Sequence, residues 1–182
     1  MSVRYKVGEN EIPHFVTFTV VGWVDVFSRE IYKESILESL DYCIQEKGLR
    51  VHAWIIMTNH LHLIISSIDK PIAAIVRDIK KYTSRKLIEL IKENPSESRK
   101  EWMLNMFSYV GKGNKRNKDF QFWQQNYHPV ELCANEKLDQ RLKYLHENPV
   151  RSGLVCEAWH YKYGSALDYY TNESGMLKIE LI

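Results

Sequence analysis

Two histidines stand two residues apart in an apolar stretch, "NHLHLII", at residues 59–65. If residues 60–66 form a β-strand, side chains alternate between its faces, so His60 and His62 point to one face and the leucines after them to the other. Two imidazole rings would then lie side by side, and imidazole nitrogens are common metal ligands. Paired strand histidines also occur as structural residues, so a metal site requires a third ligand and a reacting group.

A later helix, "NEKLDQRLKYLHENPV" at residues 135–150, supplies candidates for both. Leucines at helical spacing define its buried stripe, namely Leu138, Leu142 and Leu145. Tyr144 and Asn148 are one turn apart, and we expect them well away from that stripe, on a polar side shared with Lys137 and Arg141. Asn148 could donate an oxygen to a metal ion or simply end the helix before Pro149, and Tyr144 could also be an ordinary surface tyrosine.

Two histidine nitrogens and an amide oxygen would leave coordination positions open, which is typical of catalytic rather than structural metal sites. A cation held there could bind a phosphodiester and neutralise its developing charge while a tyrosine oxygen attacks phosphorus. The product would be a phosphotyrosine ester that a free hydroxyl can later reverse. Lys137 or Arg141 is expected to assist the tyrosine.

At these residues the sequence resembles the single-tyrosine HUH transposases, and most of all the REP-associated tyrosine transposases of bacteria. The resemblance runs from about Phe15 to Tyr170 and is carried by three blocks in order, "HAWIIMTNHLHLII", "FQFWQQNYHPVEL" and "YLHENPVRSGLV". It implies His60 and His62 as metal ligands, Tyr144 as nucleophile and Asn148 as the amide ligand.

The same resemblance implies an enzyme that cleaves and rejoins single-stranded DNA at hairpin-associated sites through a 5′-phosphotyrosine intermediate. It implies Mg²⁺ or Mn²⁺, between which the ligand types do not choose, and a possible homodimer. Thr58 departs from the proline common in the family. Residues 94–118 carry little resemblance, and the C-terminal extension 171–182, which has no clear counterpart, could be a partner-binding strand or a tail.

The elements that must position these residues follow from the periodicity of apolar side chains. Their order is strand, helix, strand, strand, helix, strand, helix, which predicts an α+β, ferredoxin-like antiparallel sheet with helices on one face. The family resemblance implies that this sheet is the HUH nuclease fold. The predicted strands are 13–24, 49–57, 60–66 and 120–132, and the predicted helices are 30–47, one that starts near Pro71, a short one at 102–109, and 135–147, stopped by Pro149.

The composition fits one domain spanning residues 1–182, with no membrane-spanning segment and a cytoplasmic location. Three widely spaced cysteines indicate neither a disulfide framework nor cysteine-ligated zinc. The net charge is only +2, but basic residues cluster in two places. One is a helical row of Arg77, Lys81 and Arg85, and the other is a loop with Lys112, Lys115 and Arg116. Either cluster could contact DNA phosphates or be an ordinary solvated surface.

Several residues compete for these roles. Tyr82 lies among basic residues and is the rival nucleophile, although we expect it to pack beside the Ile75 and Ile79 stripe. His128 could be an additional ligand or a DNA contact, but we expect it, like His52, to be structural. Four aromatic residues could stack on unpaired bases or belong to the core, namely Trp54, Trp123, Tyr127 and Trp159. Two other functions stay open, a non-catalytic hairpin DNA- or RNA-binding module of the same fold and a metal-dependent hydrolase that uses water.

Overall fold

The computed structural model describes residues 10–113, 119–125 and 129–182, and within these ranges the strands form one antiparallel sheet of order β2-β3-β1-β4. The strands are β1 (His14–Thr19), β2 (Leu49–Ile56), β3 (His60–Ser67) and β4 (Val130–Glu131). The helices are α1 (Glu30–Lys47), α2 (Ile72–Glu93), α3 (Lys100–Lys112), α4 (Asn135–Arg151) and the short α5 (Ala166–Tyr170). This element and strand order is the ferredoxin-like arrangement, so the predicted fold class is confirmed.

The two central strands place the histidine pair in the middle of the sheet. β3 pairs antiparallel with β1, and Thr17 lies opposite His62 in the register. On its other side β3 pairs with β2, to which a tight turn connects it, with the Met57 amide donating to the His60 carbonyl at 2.8 Å. Both histidines therefore stand on backbone that is hydrogen-bonded on two sides.

Alternation along the strands gives the sheet two apolar faces, each with its own core. One face, which includes Leu61 and Leu63, packs against α1, α2 and α3. The other face carries the two histidines and packs against Leu145 of α4. The expectation that all helices lie on one face is therefore wrong for α4, because the outer face of β2 and β3 is itself apolar and needs a cover.

Several predicted element boundaries differ from the structure, and the short helix predicted at 102–109 extends over Lys100–Lys112. The first strand ends at Thr19, where a 3-10 turn begins at Val21. Among the described residues of the strand predicted at 120–132, only Val130 and Glu131 form strand β4, and in residues 119–125 only Trp123 forms a bridge to the sheet. Pro149 does not stop α4, because a proline so near the helix end removes a single backbone donor, and the next turn continues with the Ser152 amide donating to the Asn148 carbonyl at 3.0 Å.

The C-terminal segment runs along the exposed edge of β2. The Glu180 amide donates to the Val51 carbonyl at 2.9 Å, and the Glu180 carbonyl lies 2.9 Å from Nδ1 of His52. Leu177 is buried in the main core. The end of this chain thus covers its own sheet edge, which would otherwise present unpaired backbone groups.

A buried carboxylate joins the beginnings of α1 and α3. Glu97 accepts from Arg29 Nε at 2.8 Å and from Arg99 Nε at 3.0 Å, and the Tyr32 hydroxyl lies 3.3 Å away. Burial raises the pKa of Glu97, but the hydrogen bonds and charges of the two arginines outweigh it and bring the pKa down to about 2.

One glycine of α3 permits a close crossing of the chain. A Cβ on Gly111 would lie 2.5 Å from the Cα of Phe120, so only glycine lets residues 119–123 pass over this helix. In residues 10–113, 119–125 and 129–182, no helix has both the length and the apolar character needed to cross a bilayer.

Candidate functional site

The structure brings the two histidine rings together on the outer face of β3, with their centroids 4.8 Å apart. Burial lowers the pKa of His60, and it lowers that of His62 to about 3, helped by the charges of His60 and Arg141. Both rings are therefore neutral near pH 7, which is the form that binds metal ions.

Each histidine has one ring nitrogen bonded to a neighbouring side chain. His62 Nδ1 lies 2.8 Å from the Thr17 hydroxyl, and His60 Nδ1 lies 2.7 Å from Asn59 Oδ1. The Asn59 oxygen can only accept, so His60 carries its proton on Nδ1 and presents a lone pair at Nε2. When His62 ligates through Nε2, its Nδ1 likewise donates to Thr17. Such outer contacts orient metal-binding histidines.

Tyr144 packs against this pair from α4. Its ring centroid is 5.5 Å from that of His62 and 6.2 Å from that of Phe15. The expectation that Tyr144 lies well away from the apolar stripe is wrong, because its ring is half-buried against the same core as Leu145. The wide face that α4 turns to the sheet includes the tyrosine, and this is what brings it to the histidines.

Two polar atoms of the predicted ligands are buried without a hydrogen-bond partner in the described part of the chain, His62 Nε2 and the side-chain nitrogen of Asn148. An amide can turn by 180° to present its oxygen instead. Asn148 lies one helical turn from Tyr144 on α4. Buried polar atoms are normally satisfied, so both side chains fit a polar ligand such as a divalent cation.

The same donor set fits such a cation chemically, because it combines neutral imidazole nitrogens with an amide oxygen. Among residues that the structure describes, no group of three or more His, Cys, Asp or Glu side chains is placed to hold a metal ion. A metal site on this face would therefore depend on the amide of Asn148 and on ligands from substrate or water.

Two arginines place positive charge beside the tyrosine. The Arg151 guanidinium lies 4.9 Å from the Tyr144 ring centroid and donates to its backbone carbonyl at 3.4 Å. Arg141 lies over the Phe15 ring at 5.1 Å. Lys137 is exposed on the first turns of α4. Sequence reasoning named Arg141 and Lys137 as helpers of Tyr144 and missed Arg151, although its i+7 spacing from Tyr144 was a readable signal.

The predicted DNA-binding residues are not part of this cluster. Arg77, Lys81 and Arg85 are exposed on α2, across the sheet from the histidines, and Arg77 lies 3.5 Å from the carboxylate of Asp78. Lys112 is exposed at the end of α3. Lys115 and Arg116 lie outside the described residues.

The rival residues also receive positions. Tyr82 is 60% exposed on α2, so its expected packing beside the isoleucine stripe is wrong, and it is on the far side of the sheet from the histidines. His52 has both ring nitrogens bonded, one to the Glu180 carbonyl and one to the Ser66 hydroxyl at 2.8 Å. Trp54 and Trp123 are buried and Trp159 is partly exposed. Tyr127 and His128 lie outside the described residues.

Comparisons with known proteins give the family. The model of a family described as "Transposase IS200 like" matches residues 12–110, more than half of the chain, including both histidines but not α4. No curated protein matches the sequence. A solved structure, described as "Structure of the REP associates tyrosine transposase bound to a REP hairpin", is similar in fold, with a TM-score of 0.58 and 14% identity over 92% of this chain and 84% of that one. The chain therefore belongs to the family of IS200-like transposases.

Proposed function

We propose that this transposase cleaves and rejoins single-stranded DNA with Tyr144 as the covalent nucleophile and His60, His62 and Asn148 as the ligands of a divalent cation. The observation that carries the proposal is the position of the Tyr144 ring, 5.5 Å from the ring of His62, whose Nε2 is buried without a partner among the described residues. A potential ligand and a potential nucleophile thus face each other across one small site.

In the proposed step, the phenolic oxygen of Tyr144 forms a bond to phosphorus, and the bond from phosphorus to the 3′-oxygen of the preceding nucleotide breaks. The phenol proton passes to solvent, and the departing 3′-oxygen takes up a proton. The products are a 5′-phosphotyrosine and a free 3′-hydroxyl. Attack by a 3′-hydroxyl on the phosphotyrosine reverses these bond changes and rejoins DNA.

The surrounding residues have supporting roles. Thr17 and Asn59 hold the histidine rings at Nδ1, which leaves Nε2 of each ring for a ligand. Arg141 holds positive charge near His62, which favours an anionic phosphodiester in the site. Arg151 lies against the Tyr144 ring, where its charge is offset by the Glu147 carboxylate 3.1 Å away. Phe15 and Leu145 exclude water from one side of the tyrosine.

When bound, Mg²⁺ or Mn²⁺ would polarise the phosphate and neutralise its developing negative charge. Two imidazole ligands favour the softer Mn²⁺, whereas amide and phosphate oxygens accept either ion.

The DNA is expected to contain a hairpin, since the structurally similar transposase is described as bound to one. The α2 row, Arg77, Lys81 and Arg85, would then contact phosphates beyond the cleavage site rather than the scissile one, because it lies across the sheet from the histidines. Pairing of two chains and the single-domain organisation stay predictions, which sedimentation velocity and limited proteolysis address.

The test is a denaturing-gel assay for a covalent protein–DNA adduct. Labelled single-stranded hairpin DNA from beside the gene is incubated with Mg²⁺ or Mn²⁺ and with the wild type, Tyr144→Phe or Tyr82→Phe. Tyr82→Phe is the matched control, because this tyrosine is exposed on the other side of the sheet.

An adduct that is lost in Tyr144→Phe and retained in Tyr82→Phe supports the proposal. Loss in Tyr82→Phe alone would overturn the assignment of the nucleophile. Cleavage without an adduct would favour a metal-dependent hydrolase, and binding without cleavage in either metal would favour a non-catalytic hairpin-binding module.

A further inference from the structure

An exposed tryptophan stands beside the histidine pair. Trp23 is 60% exposed, and its ring centroid lies 6.2 Å from that of His60, with the two ring planes inclined at 73°. Its φ angle is +57°, and it is the one non-glycine residue with positive φ in the described part of the chain. Strained backbone of this kind persists where surrounding contacts impose it, often at functional sites.

The contacts that impose this conformation come from the turn carrying the histidines. The Val20 amide donates to the Asn59 carbonyl at 2.9 Å, and the Phe27 amide donates to the Thr58 carbonyl at 2.8 Å. The Asn59 side-chain nitrogen lies 3.4 Å from the Trp23 carbonyl, while its oxygen accepts from His60. The same amide therefore holds both the Trp23 loop and a candidate metal ligand.

The neighbouring residue also restricts the loop. Gly22 has φ +63°, and a Cβ there would collide with the end of Met106 from α3. The loop is thus held against the protein from two sides while the indole remains in solvent. An exposed indole held by its backbone has a face available to a ligand without any rearrangement.

We propose that Trp23 is a stacking platform for an unpaired base of the DNA strand, adjacent to the phosphate that the histidine site would hold. The inference rests on the proposed function, because it takes its ligand from the strand that enters the site. Indole faces bind nucleobases of any sequence by stacking.

The test measures binding without chemistry, in a Tyr144→Phe background. The probe is a labelled single-stranded hairpin oligonucleotide from beside the gene, in which one abasic residue is moved through each position around the cleavage site. The variants are Trp23→Gly, which keeps the positive φ angle without strain, and Trp23→Phe, which keeps an aromatic face. Trp102→Ala is the control, since Trp102 is similarly exposed but lies on α3.

We expect Trp23→Gly to weaken binding roughly 5- to 150-fold, and Trp23→Phe and Trp102→Ala to weaken it far less. One abasic position should weaken binding to the parent by a similar factor and have no further effect in Trp23→Gly. Additive effects of the abasic site and the substitution at every position, or unchanged affinity in a folded Trp23→Gly, would overturn the inference.

The two proposals fail in different ways. Failure of the proposed function appears as the absence of an adduct in the protein that retains Tyr144. Failure of the stacking platform appears in binding alone and leaves the adduct intact. A parent protein that does not bind the strand at all would overturn both.

Discussion

Replacing Thr17 by valine removes one hydroxyl group and keeps the shape of the side chain. That hydroxyl lies 2.8 Å from His62 Nδ1, and His62 is only 5% exposed, so water does not readily take its place. When Nε2 ligates a metal ion, Nδ1 carries the proton and needs an acceptor. Thr17→Val should therefore weaken metal binding without disturbing the sheet.

The magnitude follows from the cost of leaving the buried Nδ1–H of His62 without an acceptor, which is about 1–3 kcal/mol. A loss of about 1.4 kcal/mol corresponds to tenfold, so the affinity for Mn²⁺ should fall about 10- to 100-fold, which matches the usual effect of changing an outer-shell partner of a metal ligand.

The assay is isothermal titration calorimetry, in which Mn²⁺ is titrated into the wild-type, Thr17→Val and Thr19→Val proteins. Thr19 is on β1 with Thr17 and lies opposite His60 of β3. Its side chain forms no hydrogen bond with either histidine, so Thr19→Val is a matched control. Equal Mn²⁺ affinities for the two valine variants would refute the proposed role of Thr17, and a protein that binds no Mn²⁺ would refute the metal site itself.

The remaining predictions concern stability. Gly111→Ala should lower the free energy of unfolding in urea by about 2 kcal/mol or more, because its Cβ would collide with the backbone of Phe120. Gly113→Ala is the control and should change it by less than about 1 kcal/mol, since the nearest atom to its Cβ is 3.6 Å away. Equal losses in the two variants would contradict this prediction. Glu97→Gln should lower the free energy of unfolding by about 3 kcal/mol at pH 7. Because the pKa of Glu97 is held at about 2, below its ordinary value of 4.5, the stability difference from wild type should shrink as the pH falls from 4.5 towards 2. A stability difference that does not change with pH would be inconsistent with the ion pairs. Deleting residues 178–182 should uncover the edge of β2 and produce larger species in size-exclusion chromatography, and an unchanged elution volume would show that this segment does not protect the edge.

Much of the fold was readable because local periodicity encodes it. Alternation in β3 predicted that His60 and His62 share a face, and the structure places Leu61 and Leu63 in the opposite core. The α+β order and the long helices also followed from periodicity. The roles of the site residues stay predictions, since geometry alone does not establish catalysis.

Other features depend on contacts that no local pattern carries. The stripe of α4 shows that one side is buried, but the apolar outer face of β2 and β3 decides which face of the sheet it covers. The prediction for Tyr82 was wrong because a tyrosine at the edge of an apolar stripe can either pack against the core or turn to solvent, and the sequence does not decide between the two. The conformation of Trp23 is imposed by hydrogen bonds to the turn before β3, which are distant in sequence.

The two cores on opposite faces of the sheet have a consequence for heating and for hydrogen exchange. Among the described residues, the cluster beneath α4 contains far fewer buried side chains than the one shared by α1, α2 and α3. Opening α4 exposes only the smaller cluster, and segments with little buried apolar contact open at lower free energy than the whole domain. Amide hydrogens of α4 should exchange before those of β3, and warming should separate Tyr144 from the histidines while the rest of the sheet remains folded.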